Sequence, residues 1–233
     1  MIDFYKRAWW VAVGYLGAVV GAGFASGQEI VQFFVAFDKW GLYGALLSAA
    51  LFAAMGYLLF AICYRRRINT YQDMLRTVFG AQWGKLADFL FSFFLFLGIC
   101  IMFAAAGAVF YEHLHASKIL GIMLTCFVVT VLLAGGVKGL VVSYNLLVPV
   151  KILILLSIAG WGAFGTPQCG EIQAGQLAVL NQRWWALAAI LYVAYNFTLA
   201  TVLLCEYQSM VDIKSGGFGV VSGGLGLGST TVT

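Results

Sequence analysis

Residues 17–32 read GAVVGAGFASGQEIVQ. Glycines crowd this stretch, apolar residues flank it, and a carboxylate, Glu29, follows the last glycine closely. Three structures suit such a pattern: a phosphate-cradling loop, a close-packing helix face, and a helix broken inside a membrane. A dinucleotide loop needs G-x-G-x-x-G between a strand and a helix. Here Gly21-Ala22-Gly23 is followed by Ser26 where the third glycine belongs, Gly27 comes one residue late, and no strand-like alternation precedes it. The loop reading fails on spacing and on context.

Composition sets the surroundings. Of 233 residues, 63% are hydrophobic and 9% charged, with a mean hydropathy of +0.96. Soluble domains carry about 25% charged residues, so this chain has too little polar surface to face water. Apolar segments run over about 8–36, 41–63, 88–111, 119–136, 141–164 and 184–205. Most reach the ~20 residues that cross a ~30 Å hydrocarbon core as helix. The alternating pattern of a membrane barrel is absent, and helices are the remaining way to satisfy the backbone in lipid. The expectation is an all-α polytopic membrane protein of about six transmembrane helices, a single transmembrane domain over 1–214. The first segment is too long for the apolar core of a cleaved leader.

Charge orients the spans. With the N-terminus cytoplasmic, Lys6, Arg7, Arg65, Arg66, Arg67, Arg76, Lys85, Lys138 and Lys214 lie inside. Lys39, Lys118 and Arg183 lie outside, and Lys151 falls within a span. Nine against three is a positive-inside bias. The net charge of +4 thus reports topology, not affinity for nucleic acid. Inner-membrane placement follows, with the lipid bilayer as the surrounding partner; oligomeric state is left open.

Between spans, 65–87 has apolar residues at helical spacing and reads as a cytoplasmic interfacial helix. The outer loop 165–183 carries turn signals and suits a short helix. Residues 215–233, with seven glycines, read as a glycine-rich tail that begins a seventh span and is cut short. The five cysteines form no CxxC pair and read as small packing residues. Glu112, His113 and His115 do not share a helix face well enough for a metal site. No Ser-His-Asp order, HExxH or P-loop is present, so neither an enzyme nor a resident cofactor or metal is expected.

The glycine stretch then divides two readings. Gly17-xxx-Gly21 and Gly23-xxx-Gly27 allow close helix approach. That leaves Ser26, Gln28 and Glu29 unexplained, since polar groups deep in a span are costly and usually functional. A broken helix accounts for them, because an unwound backbone can coordinate a cation or hold a solute's charged group. Gly21–Gly23 fall roughly 20 Å along the segment from Ala8, near mid-membrane. Segment six offers a polar cluster at its centre, Tyr195-Asn196-Phe197-Thr198, from which a second break is expected there.

VVGAGFASGQEIVQFF, the NLLVPV of segment five and LYVAYNFTLATVLL of segment six resemble the YkvI-type bacterial membrane proteins. These are similar to the amino acid–polyamine–cation transporter superfamily, with its LeuT-like fold of two inverted five-helix repeats. The resemblance runs along essentially the whole chain. It implies the first repeat, the first helix of the second, and a truncation after that. It also implies a secondary transporter for an amino-acid-like small solute, coupled to H⁺ or Na⁺. The substrate site would comprise Gly21, Ala22, Gly23, Phe24, Ala25, Ser26, Tyr195, Asn196 and Thr198. Lys151, about mid-membrane on segment five, matches a lysine that some proton-coupled members carry where sodium-coupled relatives bind an ion. Glu29 is a second ion-coupling residue. A non-transporting ligand-binding subunit, as in germinant sensing, and an inactive fragment are the rival expectations.

Overall fold

The computed structural model describes residues 2–21, 27–164, 182–208 and 211–232. Every regular element among them is helical. In chain order these are α1 (Ile2–Val19), α2 (Gln28–Phe33), a 3-10 turn (Val35–Phe37), α3 (Lys39–Arg66), α4 (Tyr71–Leu114), α5 (Lys118–Ala134), α6 (Gly136–Phe164), a 3-10 turn (Gln182–Trp184), α7 (Trp185–Tyr207) and α8 (Ile213–Val232).

Among the described residues, three helices are long and apolar enough to cross a bilayer: α3 with 28 residues, α4 with 44 and α7 with 23. That is a smaller number than the six apolar segments suggest. The first segment is divided: α1 carries Asp3, Lys6 and Arg7 within its 18 residues and α2 has 6, while α5 has only 17. Among its described residues the chain is all-helical, with the apolar helices of a membrane protein.

Its residues gather into two compact units, Met1–Tyr71 with Tyr144–Thr233, and Gln72–Ser143. In the first unit α8 packs on α3 and α1, and α7 packs on α3 and α1. Tyr15, Phe37, Phe52, Phe60, Tyr192 and Leu204 are among the large side chains sealed in its core. The Tyr15 hydroxyl donates to the Phe52 carbonyl at 2.7 Å, tying α1 to α3. Ser48 of α3 donates to the Ala189 carbonyl of α7 at 3.4 Å. Arg7 and Asp212 pair at 3.1 Å, but both are exposed, so the pair adds little.

The glycine-rich 215–233 stretch lies in α8, which extends to Val232. Glycine costs a helix about 1 kcal/mol per residue against alanine. Close packing offsets that cost. A β-carbon at Gly224 would stand 2.7 Å from the Ala53 backbone of α3. One at Gly56 of α3 would meet Val220 of α8 at the same distance. Small residues on both helices let the backbones meet where no side chain would fit.

In the second unit, α4 and α5 cross where Gly107 faces Ile122 and Gly121 faces Phe110. The expected interfacial helix over 65–87 has different bounds. Arg65 and Arg66 belong to the last turn of α3, and α4 begins at Tyr71. Gly80 interrupts α4 with φ 77°, a conformation available to glycine without steric cost. Beyond it Phe89, Phe93, Phe96 and Ile101 stand exposed, a surface that suits lipid and not water.

Candidate functional site

Helix α1 stops at Val19; Val20 forms a bend and Gly21 has no regular structure. The last regular bond there is Val20 N–H to the Leu16 carbonyl at 2.7 Å. On the far side Gly27 is left-handed, at φ 75°, and α2 starts at the next residue. The first apolar segment is therefore interrupted at both Val20–Gly21 and Gly27. Ala22, Gly23, Phe24, Ala25 and Ser26, five of the substrate-binding residues expected from sequence, lie outside the described residues. So does most of the outer loop, from 165 to 181.

The end of a helix leaves its last carbonyls without internal partners. Lys151 of α6 donates from Nζ to one of them, the Val20 carbonyl. An ammonium there also meets the negative end of the α1 dipole. Lys151 is part-buried, as its place on the apolar α6 requires. This is a cation held against the interruption in the first segment.

Glu29 lies on the other side of the interruption, in the first turn of α2. The Tyr195 and Asn196 side chains of α7 stand within hydrogen-bond reach of its carboxylate. Its Oε2 is shut off from solvent and has no hydrogen-bond partner among the described residues. Tyr192, 1% exposed, sits in the field of the same carboxylate. The Tyr192 hydroxyl also lacks a partner among the described residues.

Aromatic rings close around this group. Phe33 lies 5.5 Å from Tyr192 and 5.8 Å from Tyr195, centroid to centroid. Phe34 is edge-on to Tyr192 at 5.1 Å, and Phe52 at 5.9 Å. Sequence reasoning named Tyr195 and Asn196 but not Tyr192, Phe33 or Phe34 as site residues. The signal was present in the spacing: Tyr192, Tyr195 and Asn196 stand at i, i+3 and i+4 on one helix face.

The second break, expected in segment six, is absent: α7 runs without interruption from Trp185 to Tyr207. Its polar side chains instead turn back on their own helix. Asn196 donates to the Tyr192 carbonyl at 3.2 Å, Thr198 to Ala194 at 3.4 Å and Thr201 to Phe197 at 2.8 Å. Such i−4 bonds satisfy polar groups inside an intact helix. Thr198 lies about 200° around the helix from Asn196. No described contact brings it to Glu29, and none joins Lys151 to Glu29.

Two proteins of Bacillus subtilis (strain 168) are similar to this chain. It is 33% identical over 226 residues to the uncharacterized membrane protein YkvI, covering 96% of this chain and 62% of that one. It is 33% identical over 144 residues to the uncharacterized protein YyaD, covering 60% of this chain and 40% of that one. The chain thus spans less than two thirds of the length of either relative. No family model matches it, and no solved structure matches it. The similarity to YkvI and the three bilayer-length helices agree that this is a membrane protein.

Proposed function

We propose that the chain is a secondary transporter of the inner membrane that carries an amino-acid-like small solute with H⁺ or Na⁺. The N-terminus is cytoplasmic in this reading, and the architecture is the first part of a LeuT-like fold. No catalytic reaction, cofactor or resident metal enters the reading. The observation that carries it is the pair of charges flanking the interrupted first segment: Lys151 on the Val20 carbonyl and Glu29 facing α7. Charged groups at membrane depth are expensive and mark solute or ion pathways. Interrupted helices are where transporters expose backbone groups to their cargo.

In this reading Gly21 to Ser26 line the solute's path, Asn196 and Tyr195 close it from α7, and Lys151 is the proton carrier. A lysine that releases its proton lets go of the Val20 carbonyl, and one that gains it takes hold again. Protonation would thereby couple to the end of α1.

Reconstitution into liposomes tests this. Uptake of radiolabelled alanine or lysine under an imposed pH gradient is expected, and its absence under every gradient of H⁺ and Na⁺ would refute transport. Stabilisation by either amino acid without uptake would instead give a non-transporting binding subunit.

A further inference from the structure

We propose that Glu29 and Tyr192 form an ammonium subsite, so that the protein selects its solute by a positively charged amine. The proposal rests on the reading of the interrupted segment as a solute site and names the group recognised there. Two unpartnered polar groups carry it. Glu29 Oε2 and the Tyr192 hydroxyl are both buried and both without a hydrogen-bond partner among the described residues. A buried polar group left unsatisfied is costly, and a buried charge more so. Neither satisfies the other, although the two elements pack together: Phe33, one helical turn beyond Glu29 in α2, lies 5.5 Å from the Tyr192 ring.

The chemistry of the missing partner follows. It must donate to a carboxylate and also engage a phenol oxygen. It must carry positive charge as well, because no ion pair among the described residues engages Glu29. Lys151, a cation held against the same interruption, spends its ammonium on Val20. An alkylammonium has three donors on one nitrogen and meets all of these demands. A solute carboxylate would face Glu29 as a like charge.

The surroundings suit an organic amine. Phe33, Phe34, Phe52 and Tyr195 surround Tyr192 with centroids 5.1–5.9 Å away. Ring faces attract an ammonium, and the rings also bury the adjoining methylenes. α7 cannot supply the negative end itself. It is unbroken, with Asn196 spending one of its two amide hydrogens and Thr201 its hydroxyl hydrogen on the helix's own carbonyls. The side chain of Glu29 takes the place that free carbonyls of a broken helix would have had. Tyr195 and Asn196 then hold that carboxylate in position.

The experiment is equilibrium binding to the purified full chain in detergent, with three probes on one carbon skeleton: phenethylamine, 2-phenylethanol and phenylacetate. Phenethylamine is expected to bind most tightly, and alanine to compete with it. Glu29→Gln should weaken phenethylamine about 100-fold, the upper range for a hydrogen bond to a charged group, and Tyr192→Phe about tenfold. Equal binding of the amine and phenylacetate by the unaltered chain would overturn the proposal without reference to any variant. So would phenethylamine binding that Glu29→Gln leaves intact. If alanine binds but Glu29→Gln has no effect, the solute site stands and the ammonium subsite falls. If neither alanine nor any probe binds, both fall. Stabilisation by sodium over choline that Glu29→Gln abolishes would reassign the pair to a metal cation and also overturn the proposal.

Discussion

The ammonium of Lys151 on α6 donates to the carbonyl of Val20, the first residue beyond the end of α1. One side chain therefore ties a part-buried charge on α6 to the point where the first helix stops. If this contact is the coupling device, solute uptake should run on a pH gradient without sodium. Lys151→Gln keeps a donor and removes the titrating proton, so it should abolish the pH dependence while preserving the fold. Lys151→Ala strands the Val20 carbonyl as well and should cost about 1–3 kcal/mol of stability. Uptake and thermal unfolding on the two variants check both statements. Sodium-dependent uptake that survives Lys151→Ala would refute the assignment.

Gly27 enters α2 at φ 75°, and a β-carbon there meets nothing within 4 Å among the described residues. Any cost of substitution is therefore conformational. Gly27→Ala should destabilise the protein by about 1–2 kcal/mol, the penalty for placing an L-residue in the left-handed region. Gly27→Asn should cost less, because asparagine tolerates that conformation. Equal losses for the two, read from thermal unfolding, would mean that space and not backbone geometry decides the position.

Much of this was legible in the sequence, and what was not has a physical reason. Glycines at 21, 23 and 27 with Glu29 beside them pointed to an interruption, because a charge and helix-weakening residues rarely meet mid-span without cause. Tyr195-Asn196-Phe197-Thr198 looked equivalent and was not. A polar side chain that bonds its own i−4 carbonyl has the same one-letter code as one that marks a broken turn. The stretch 215–233 is a different case. Intrinsic propensity speaks against a helix with seven glycines. Propensity carries no information about Ala53 and Tyr57 of α3, against which Gly224 and Gly217 pack. Tyr192 was passed over as a site residue because an aromatic in an apolar run reads as core. Only the folded chain packs its ring against Phe33 and Phe34, on the element that carries Glu29.

Packing along α8 gives a paired test. Gly224→Ala would press a methyl group onto the Ala53 backbone, which cannot rotate away, and should cost about 1–3 kcal/mol. At Gly226 the nearest atoms are the Leu16 methyls, 3.7 Å from where the β-carbon would sit. Gly226→Ala should therefore be neutral or stabilise by up to about 1 kcal/mol through helix propensity. Thermal unfolding in detergent reads both. Similar losses at the two positions would show that α8 does not approach α3 in this register.

Asn196 distinguishes a solute-facing role from a structural one. It is 4% exposed, donates to Tyr192 within α7 and stands within hydrogen-bond reach of Glu29. Hydrogen bonds between membrane helices average only ~0.6 kcal/mol, since the unfolded chain in lipid also finds partners. Asn196→Ala should then lower the unfolding free energy by about that amount. Solute affinity should fall further, by about tenfold, because Glu29 loses one of the two groups that orient its carboxylate. Thr198→Val is the control. Its hydroxyl is bonded to Ala194 on another side of α7, so affinity should be unchanged. Binding of phenethylamine and thermal unfolding, measured on the same preparations, give the comparison. A large loss of stability with affinity retained would make Asn196 a packing residue, and an affinity loss at Thr198 would move the solute to the other face of the helix.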